Sequence, residues 1–153
     1  MTQSEMPILE GPNCPLPITD RGSIVLGHGS GGQMTHDLIR EVFQSRLSNT
    51  ILNAANDAAN IPETPPGKRL VVSTDAHIVS PLFFAGGDIG RLAVCGTVND
   101  VAMAGAIPLY LTASFIIEEC FSMQSLERIA FSMAESDEAL GIVIVNGAPT
   151  GGE

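Results

Sequence analysis

Four carboxylates and one glycine loop are the parts of this 153-residue chain that could do chemistry. Asp57 stands in a polar stretch, Asp75 closes Ser73-Thr74-Asp75, Asp88 follows Gly86-Gly87, and Asp100 follows Asn99 between Val98 and Val101. Hard oxygens of this kind suit Mg²⁺, which takes one or two carboxylates and leaves positions for water and phosphate. Plainer readings stand beside that one. Asp57 fits a turn residue, and Asp88 fits better as a helix N-cap than as a ligand. Asp75 ends an apolar run among small polar residues, where α/β proteins hold ligands. Asp100 needs a partner, because an acid packed amid Val98, Val101 and Ala102 is costly alone.

The glycine loop is Gly27-His28-Gly29-Ser30-Gly31-Gly32, which matches G-x-G-x-x-G. Placed between a strand and a helix, such a loop turns backbone N–H groups toward phosphate oxygens. A flexible turn without a ligand fits the same residues. The dinucleotide version lacks its acidic residue about twenty positions on, where Asn53-Ala54-Ala55-Asn56 stands. No Walker Gly-Lys-Ser/Thr occurs. His28, His36 and His77 have no metal-ligand spacing: His28 borders the loop, His77 neighbours Asp75, and His36 reads as helix surface. Without a Ser/His/Asp or Cys/His arrangement, nucleophilic catalysis has no support.

The elements that must position these groups follow from periodicity. Residues 1–22, with Pro7, Pro12, Pro15 and Pro17, read as an extended arm. Ile24-Val25-Leu26 is a short predicted strand, and the pattern Leu38, Ile39, Val42, Phe43, Leu47 predicts a helix over 33–47. A loop-like stretch over 48–67 precedes a predicted strand at 69–74. Gly86-Gly87-Asp88 opens a helix with an unusually small face: Gly90, Ala93, Gly96, Ala102, Ala104 and Gly105. Each interior glycine costs about 1 kcal/mol against alanine, so another backbone or a ligand should come very close there. Residues 107–118 predict a central strand. Ser122 should cap a helix running to Leu140, with Leu126, Ile129, Ala130, Met133 and Ala134 buried and Gly141 closing it. Ile142 to Val145 is the last predicted strand. The alternation fits α/β or α+β.

Seven Lys and Arg against seventeen Asp and Glu give a net charge of −10. That opposes nucleic acid and anionic membrane surfaces as partners. It still permits a phosphate ligand held by amides and a cation. Cys14, Cys95 and Cys120 form no C-x-x-C pair, so the expectation is no disulfide framework, a cytoplasmic setting, and Cys95 and Cys120 as small buried hydrophobes. The first residues lack a basic and an apolar signal region, and no apolar run reaches membrane-span length.

Taken together, Gly27 to Gly32, Ser73-Thr74-Asp75, the stretch from Ser80 to Met103 with Gly96-Thr-Val-Asn-Asp-Val-Ala-Met103, and Phe115-Ile-Ile-Glu-Glu119 resemble one family. It is the HypE family of hydrogenase maturation proteins, within the PurM-like, aminoimidazole ribonucleotide synthetase-like superfamily. The resemblance runs from about Cys14 to Val145 and is most specific over Ser80–Met103. It implies an α+β fold, a mixed sheet with flanking helices, dimerising so that two subunits build a β-barrel. It implies ATP and Mg²⁺ near that interface. His28, Gly29, Ser30, Gly31 and Gly32 would cover phosphates, Asn99 would orient the nucleotide, and Asp57, Asp75 and Asp100 would hold Mg²⁺. The implied reaction is dehydration of a carboxamide on a C-terminal Cys thiol to a thiocyanate, the source of the cyanide ligands of nickel–iron hydrogenase. Implied partners are a second copy, a carbamoyltransferase and a HypC–HypD complex.

Against the family pattern, the expectation is an N-terminal domain, by truncation or as a fragment, without the second domain and terminal Cys. Gly147-Ala148-Pro149-Thr150 replaces Gly-Asp-Thr-Lys, and Asn56-Asp57 replaces paired acids. The expectation is therefore an ATP-binding N-terminal domain over 23–153, unable alone to complete the reaction. A non-catalytic dimeric interaction module and a Rossmann-type dinucleotide binder are the competing readings.

Overall fold

The computed structural model describes residues 22–152, so the proline-rich arm and Cys14 lie outside the described residues apart from Gly22. Its centre is one β-α-β crossover. Strand β3 (Tyr110–Glu118) and strand β4 (Val143–Gly152) pair in parallel, and helix α3 (Met123–Leu140) joins them. The two ends of α3 are local in origin. Ser122 Oγ accepts the Ser125 N–H, and Gly141 takes the left-handed conformation at φ 65° that ends helices cheaply. Leu126, Ile129, Ala130 and Met133 form its buried face, as the periodicity predicts.

Along β3 the side chains alternate. Leu111, Ala113, Phe115 and Ile117 pack toward the core, while Thr112, Ser114, Ile116 and Glu118 are exposed. The register slips once, between Leu111 and Thr112, because Val145 is an extra residue on β4. This is a β-bulge. β3 starts three residues later than predicted and pairs only with β4 among the described residues, so its predicted central place in a sheet is not met within the chain.

Helix α1 (Gln33–Leu38) continues without a break into a wider π-helical segment at Ile39–Gln44. The predicted apolar face holds: Leu38, Val42, Phe43 and Leu47 are all buried, with Phe43 against Phe115 at 4.6 Å between ring centres. A short hairpin, β1 (Phe83–Phe84) and β2 (Gly87–Asp88), leads into helix α2 (Ile89–Met103). Asp88 Oδ1 accepts the Arg91 N–H, so the N-cap reading of Asp88 is correct. A Cβ at Gly90 would lie 2.6 Å from the Ile129 carbonyl oxygen. The glycine lets α2 and α3 approach backbone to backbone.

Two predicted strands are absent. Ser23 makes only an isolated bridge to Ser122, Ile24 exchanges backbone bonds of 2.8 Å with Cys120 and Phe121, and the chain then enters a 3₁₀ turn at Leu26–Gly29. Residues 69–74 are extended but unpaired. A strand exists only with a neighbour to complete its ladder, and among the described residues no backbone hydrogen bond joins 69–74 to another segment. Leu70, Val72 and Ile78 are left exposed, the last two at 80% and 98%. Cys95 is exposed and free, not buried. Cys120 is exposed and disulfide-bonded, against the expectation for both its burial and its redox state. No helix of the described residues is long and apolar enough to cross a membrane.

Candidate functional site

The segment carrying Asp75 lies along the C-terminal half of α2, held at two points. Ser73 Oγ is 3.5 Å from Asp100 Oδ2. His77 sits over Gly96, where an added Cβ would be 2.5 Å from the ring Nε2. Gly96 and Asp100 are four residues apart, so they are neighbours on one helix face. Contacts on both sides of Asp75 therefore bring it to the same seam as Asp100. The close approach expected at the mid-helix glycines is found, at Gly90 from a backbone and at Gly96 from an imidazole.

The Asp75 carboxylate is fixed at both oxygens. Oδ1 accepts the Ala76 N–H at 2.7 Å, and Oδ2 lies 3.3 Å from His77 Nε2. The His77 side chain is 14% exposed and that of Asp75 43%. The ring is packed and the carboxylate is open to solvent. The expected proximity of His77 to Asp75 is met.

Asp100 corrects one expectation. It is exposed together with Asn99, and not enclosed by Val98 and Val101. The buried stripe of α2 is Gly90, Val94 and Val98, and the two polar residues that follow turn outward from it. Asp57 is exposed in its loop and is anchored through its backbone, whose carbonyl accepts Asn146 Nδ2 at 3.2 Å. Asn146, on β4, was not singled out by the sequence. Ser73 has no signal of its own in the sequence beyond Ser73-Thr74-Asp75.

Among the described residues no three His, Cys, Asp or Glu side chains converge as a metal-binding group. In kind, however, the exposed carboxylates of Asp75 and Asp100 suit Mg²⁺, which keeps several waters and shares phosphate oxygens instead of demanding a closed protein cage.

The glycine loop is folded on itself. His28 N–H bonds to the Val25 carbonyl, Ser30 N–H and Oγ to the Gly27 carbonyl, and Gly31 N–H to Thr35 Oγ1 at 2.9 Å. His28 Nδ1 accepts the Val25 N–H at 3.0 Å. These amides are engaged within the loop, so it is not an open cradle in this conformation. Gly29 falls at the end of the 3₁₀ turn, and Gly32 caps α1. The first half of the loop is itself a 3₁₀ turn and no strand leads into it, which removes the strand-loop-helix context that a dinucleotide fingerprint needs.

Two features lie apart from this seam. A cleft of about 530 Å³ is lined by Arg46, Gly87, Arg91, Arg128, Phe131 and Glu135, among others. Its guanidiniums lie against rings, Arg128 4.0 Å from the centre of Phe83 and Arg46 5.7 Å from that of Phe131. Asp137, near the end of α3, has its carboxyl held above the usual carboxylate range by burial, opposed by backbone bonds from Glu138 and Ile144.

Comparison with known proteins matches residues 55–151 to the family described as AIR synthase related protein, N-terminal domain. The carbamoyl dehydratase HypE of Cupriavidus necator is 54% identical over 126 residues, covering 82% of this chain and 36% of that protein. A crystal structure of hydrogenase maturation protein HypE in complex with ATP superposes with a TM-score of 0.80 at 46% identity, covering 84% of this chain and 37% of the other. A HypE–HypF complex gives a TM-score of 0.53 at 47% identity, covering 76% of this chain and 36% of that one. The chain thus spans a little over a third of the length of these relatives.

Proposed function

Because the chain belongs to the AIR synthase related family, matching its N-terminal domain, we propose that it is the nucleotide-binding and dimer-forming domain of a HypE-type carbamoyl dehydratase. The observation that supports this reading is the seam itself, where Ser73 meets Asp100 and His77 meets Gly96 on either side of Asp75. Asp75 and Asp100 would hold Mg²⁺, with Asp57 as a third ligand once its loop closes. Mg²⁺ would neutralise charge on the nucleotide phosphates. Asn99, exposed next to Asp100, would orient the nucleotide. The loop from His28 through Gly29, Ser30 and Gly31 to Gly32 would open its internal bonds and turn those amides to the phosphates. An acidic chain with seven basic side chains has few other means of binding a triphosphate.

In the whole enzyme, ATP would phosphorylate the amide oxygen of a carboxamide on a cysteine thiol. Loss of phosphate and the amide protons would then give a thiocyanate, ADP and phosphate. The residues matched here span a little over a third of those relatives, and to them we assign binding and assembly.

The unpaired residues 69–74 and exposed Ile116 on β3 support a second copy as the missing neighbour, completing the barrel that the family resemblance implies. The relative solved with HypF supports contact with a carbamoyltransferase-type maturation partner, and we extend this to a HypC–HypD complex and to a cytoplasmic setting. An interaction module without nucleotide binding is the second reading, favoured by the internally bonded glycine loop. Calorimetric titration of ATP with Mg²⁺ separates the two. Binding that Asp75→Asn and Asp100→Asn each weaken at least about tenfold supports the nucleotide site, whereas equal heats in all three proteins remove it.

A further inference from the structure

We propose that His77 is a positioning residue: seated on Gly96, its ring fixes the direction in which Asp75 presents its free carboxylate lone pairs to a divalent ion. The inference rests on the reading that Asp75 holds the ion accompanying the nucleotide.

The argument begins with Gly96. A glycine inside a fifteen-residue helix costs about 1 kcal/mol against alanine, and α2 itself gains nothing from it. The space it leaves is taken by one ring. A Cβ there would be 2.5 Å from His77 Nε2 and 3.3 Å from Cε1, closer than packed carbon allows at the first atom. The crowded atom, Nε2, is also the atom that faces Asp75 Oδ2 at 3.3 Å. With a proton on Nε2, His77 stands at ion-pair distance from that oxygen. Oδ1 is occupied by the Ala76 N–H on its other side.

A carboxylate offers about four lone-pair sites. One on Oδ1 is taken by the Ala76 N–H, the His77 ring stands against Oδ2, and the carboxylate is otherwise open to solvent. Groups that hydrogen-bond a ligating carboxylate set metal affinity by about 10- to 100-fold without touching the ion. His77, packed on Gly96 and 3.3 Å from Asp75 Oδ2, is placed to act in that way. Gly96 is what lets it reach the position.

The test uses the full 153-residue chain and measures ATP affinity by calorimetry with Mn²⁺ and again in EDTA. The ratio of the two affinities isolates the metal's contribution, whereas a purely structural defect lowers both and leaves the ratio unmoved. His77→Ala and Gly96→Ala should each cut the ratio about tenfold, and His77→Gln, which restores an N–H near Nε2, should recover most of it. Gly96→Ala placed in the His77→Ala background should cause no further loss, because its effect passes through the ring. If Asp75→Asn abolishes the ratio while His77→Ala keeps it, the metal reading survives and the positioning role is overturned. Additive losses from Gly96→Ala and His77→Ala overturn the seat. A wild-type ratio in Asp75→Asn removes the metal reading itself, and this proposal with it.

Discussion

The β3-α3-β4 crossover and the segment at 69–79 carry similar apolar content and meet opposite fates. In the crossover, Leu126, Ile129, Ala130, Ile142 and Ile144 are each at most 6% exposed, and the helix is capped at both ends by its own neighbours in sequence. In the segment, Leu70, Val72 and Ile78 face solvent, and among the described residues no backbone group of 69–79 bonds to another segment. The difference is one of partners. A βαβ unit contains everything needed to bury its apolar face, whereas a lone extended run has to find an edge elsewhere.

That contrast can be broken at several points. The largest effect should come from Leu126→Ala, which empties a fully buried site and should cost about 2–5 kcal/mol in a denaturant titration. Loss below about 1 kcal/mol would mean that the crossover is not the stable core. Next, Val72→Asp with Ile116→Asp should weaken self-association about tenfold or more by sedimentation, since an unpaired charge buried at a contact is strongly unfavourable. The denaturation midpoint measured on dilute protein should stay unchanged. A midpoint that falls as far as in Leu126→Ala would place both residues in the core instead.

Asp88→Ala, which removes the α2 N-cap, should cost about 1 kcal/mol, read as earlier thermal unfolding and lower helicity. The smallest effect concerns Asp137. Its folded carboxyl titrates above the ordinary 3.8 because of burial, so the native state holds that proton more tightly than the unfolded chain. Stability from this group is full below the unfolded value and declines as pH rises through the folded one. Asp137→Asn should flatten that part of the stability profile in the mildly acidic range. An unaltered slope would show that burial does not govern the group.

What was legible in the sequence follows the same line. Ser122, Gly141 and the spacing of Leu126, Ile129, Ala130 and Met133 define α3 within twenty residues, and the structure agrees at both ends. Asp88 is legible as a cap from its type and place at a helix start, and the bond that bears this out reaches only to Arg91, three residues away. Gly90 and Gly96 announced close approaches, although not from what. The predicted strands at 24–26 and 69–74 failed because apolar runs report burial potential, not the presence of an edge to pair with. Asp100 was placed inside because its neighbours in sequence are apolar, yet a helix turns about 100° per residue and carries it outward. The bond between Asn146 and Asp57 spans 89 positions, and no local pattern foretells it.

The extra valine on β4 has an effect beyond its own site. Strand side chains change sides at every step, so inserting Val145 shifts the phase of all that follows. Ile144 aligns with inward Leu111, yet Asn146 aligns with outward Thr112, and Ala148 and Thr150 emerge while Pro149 is covered. Were Val145 kept in regular alternation with no bulge, the Asn146 amide would turn into the hydrocarbon interior, and the Asp57 loop would lose its tether. A single bulged residue thus acts as a frame-setter, deciding which surface the strand displays from Asn146 onward.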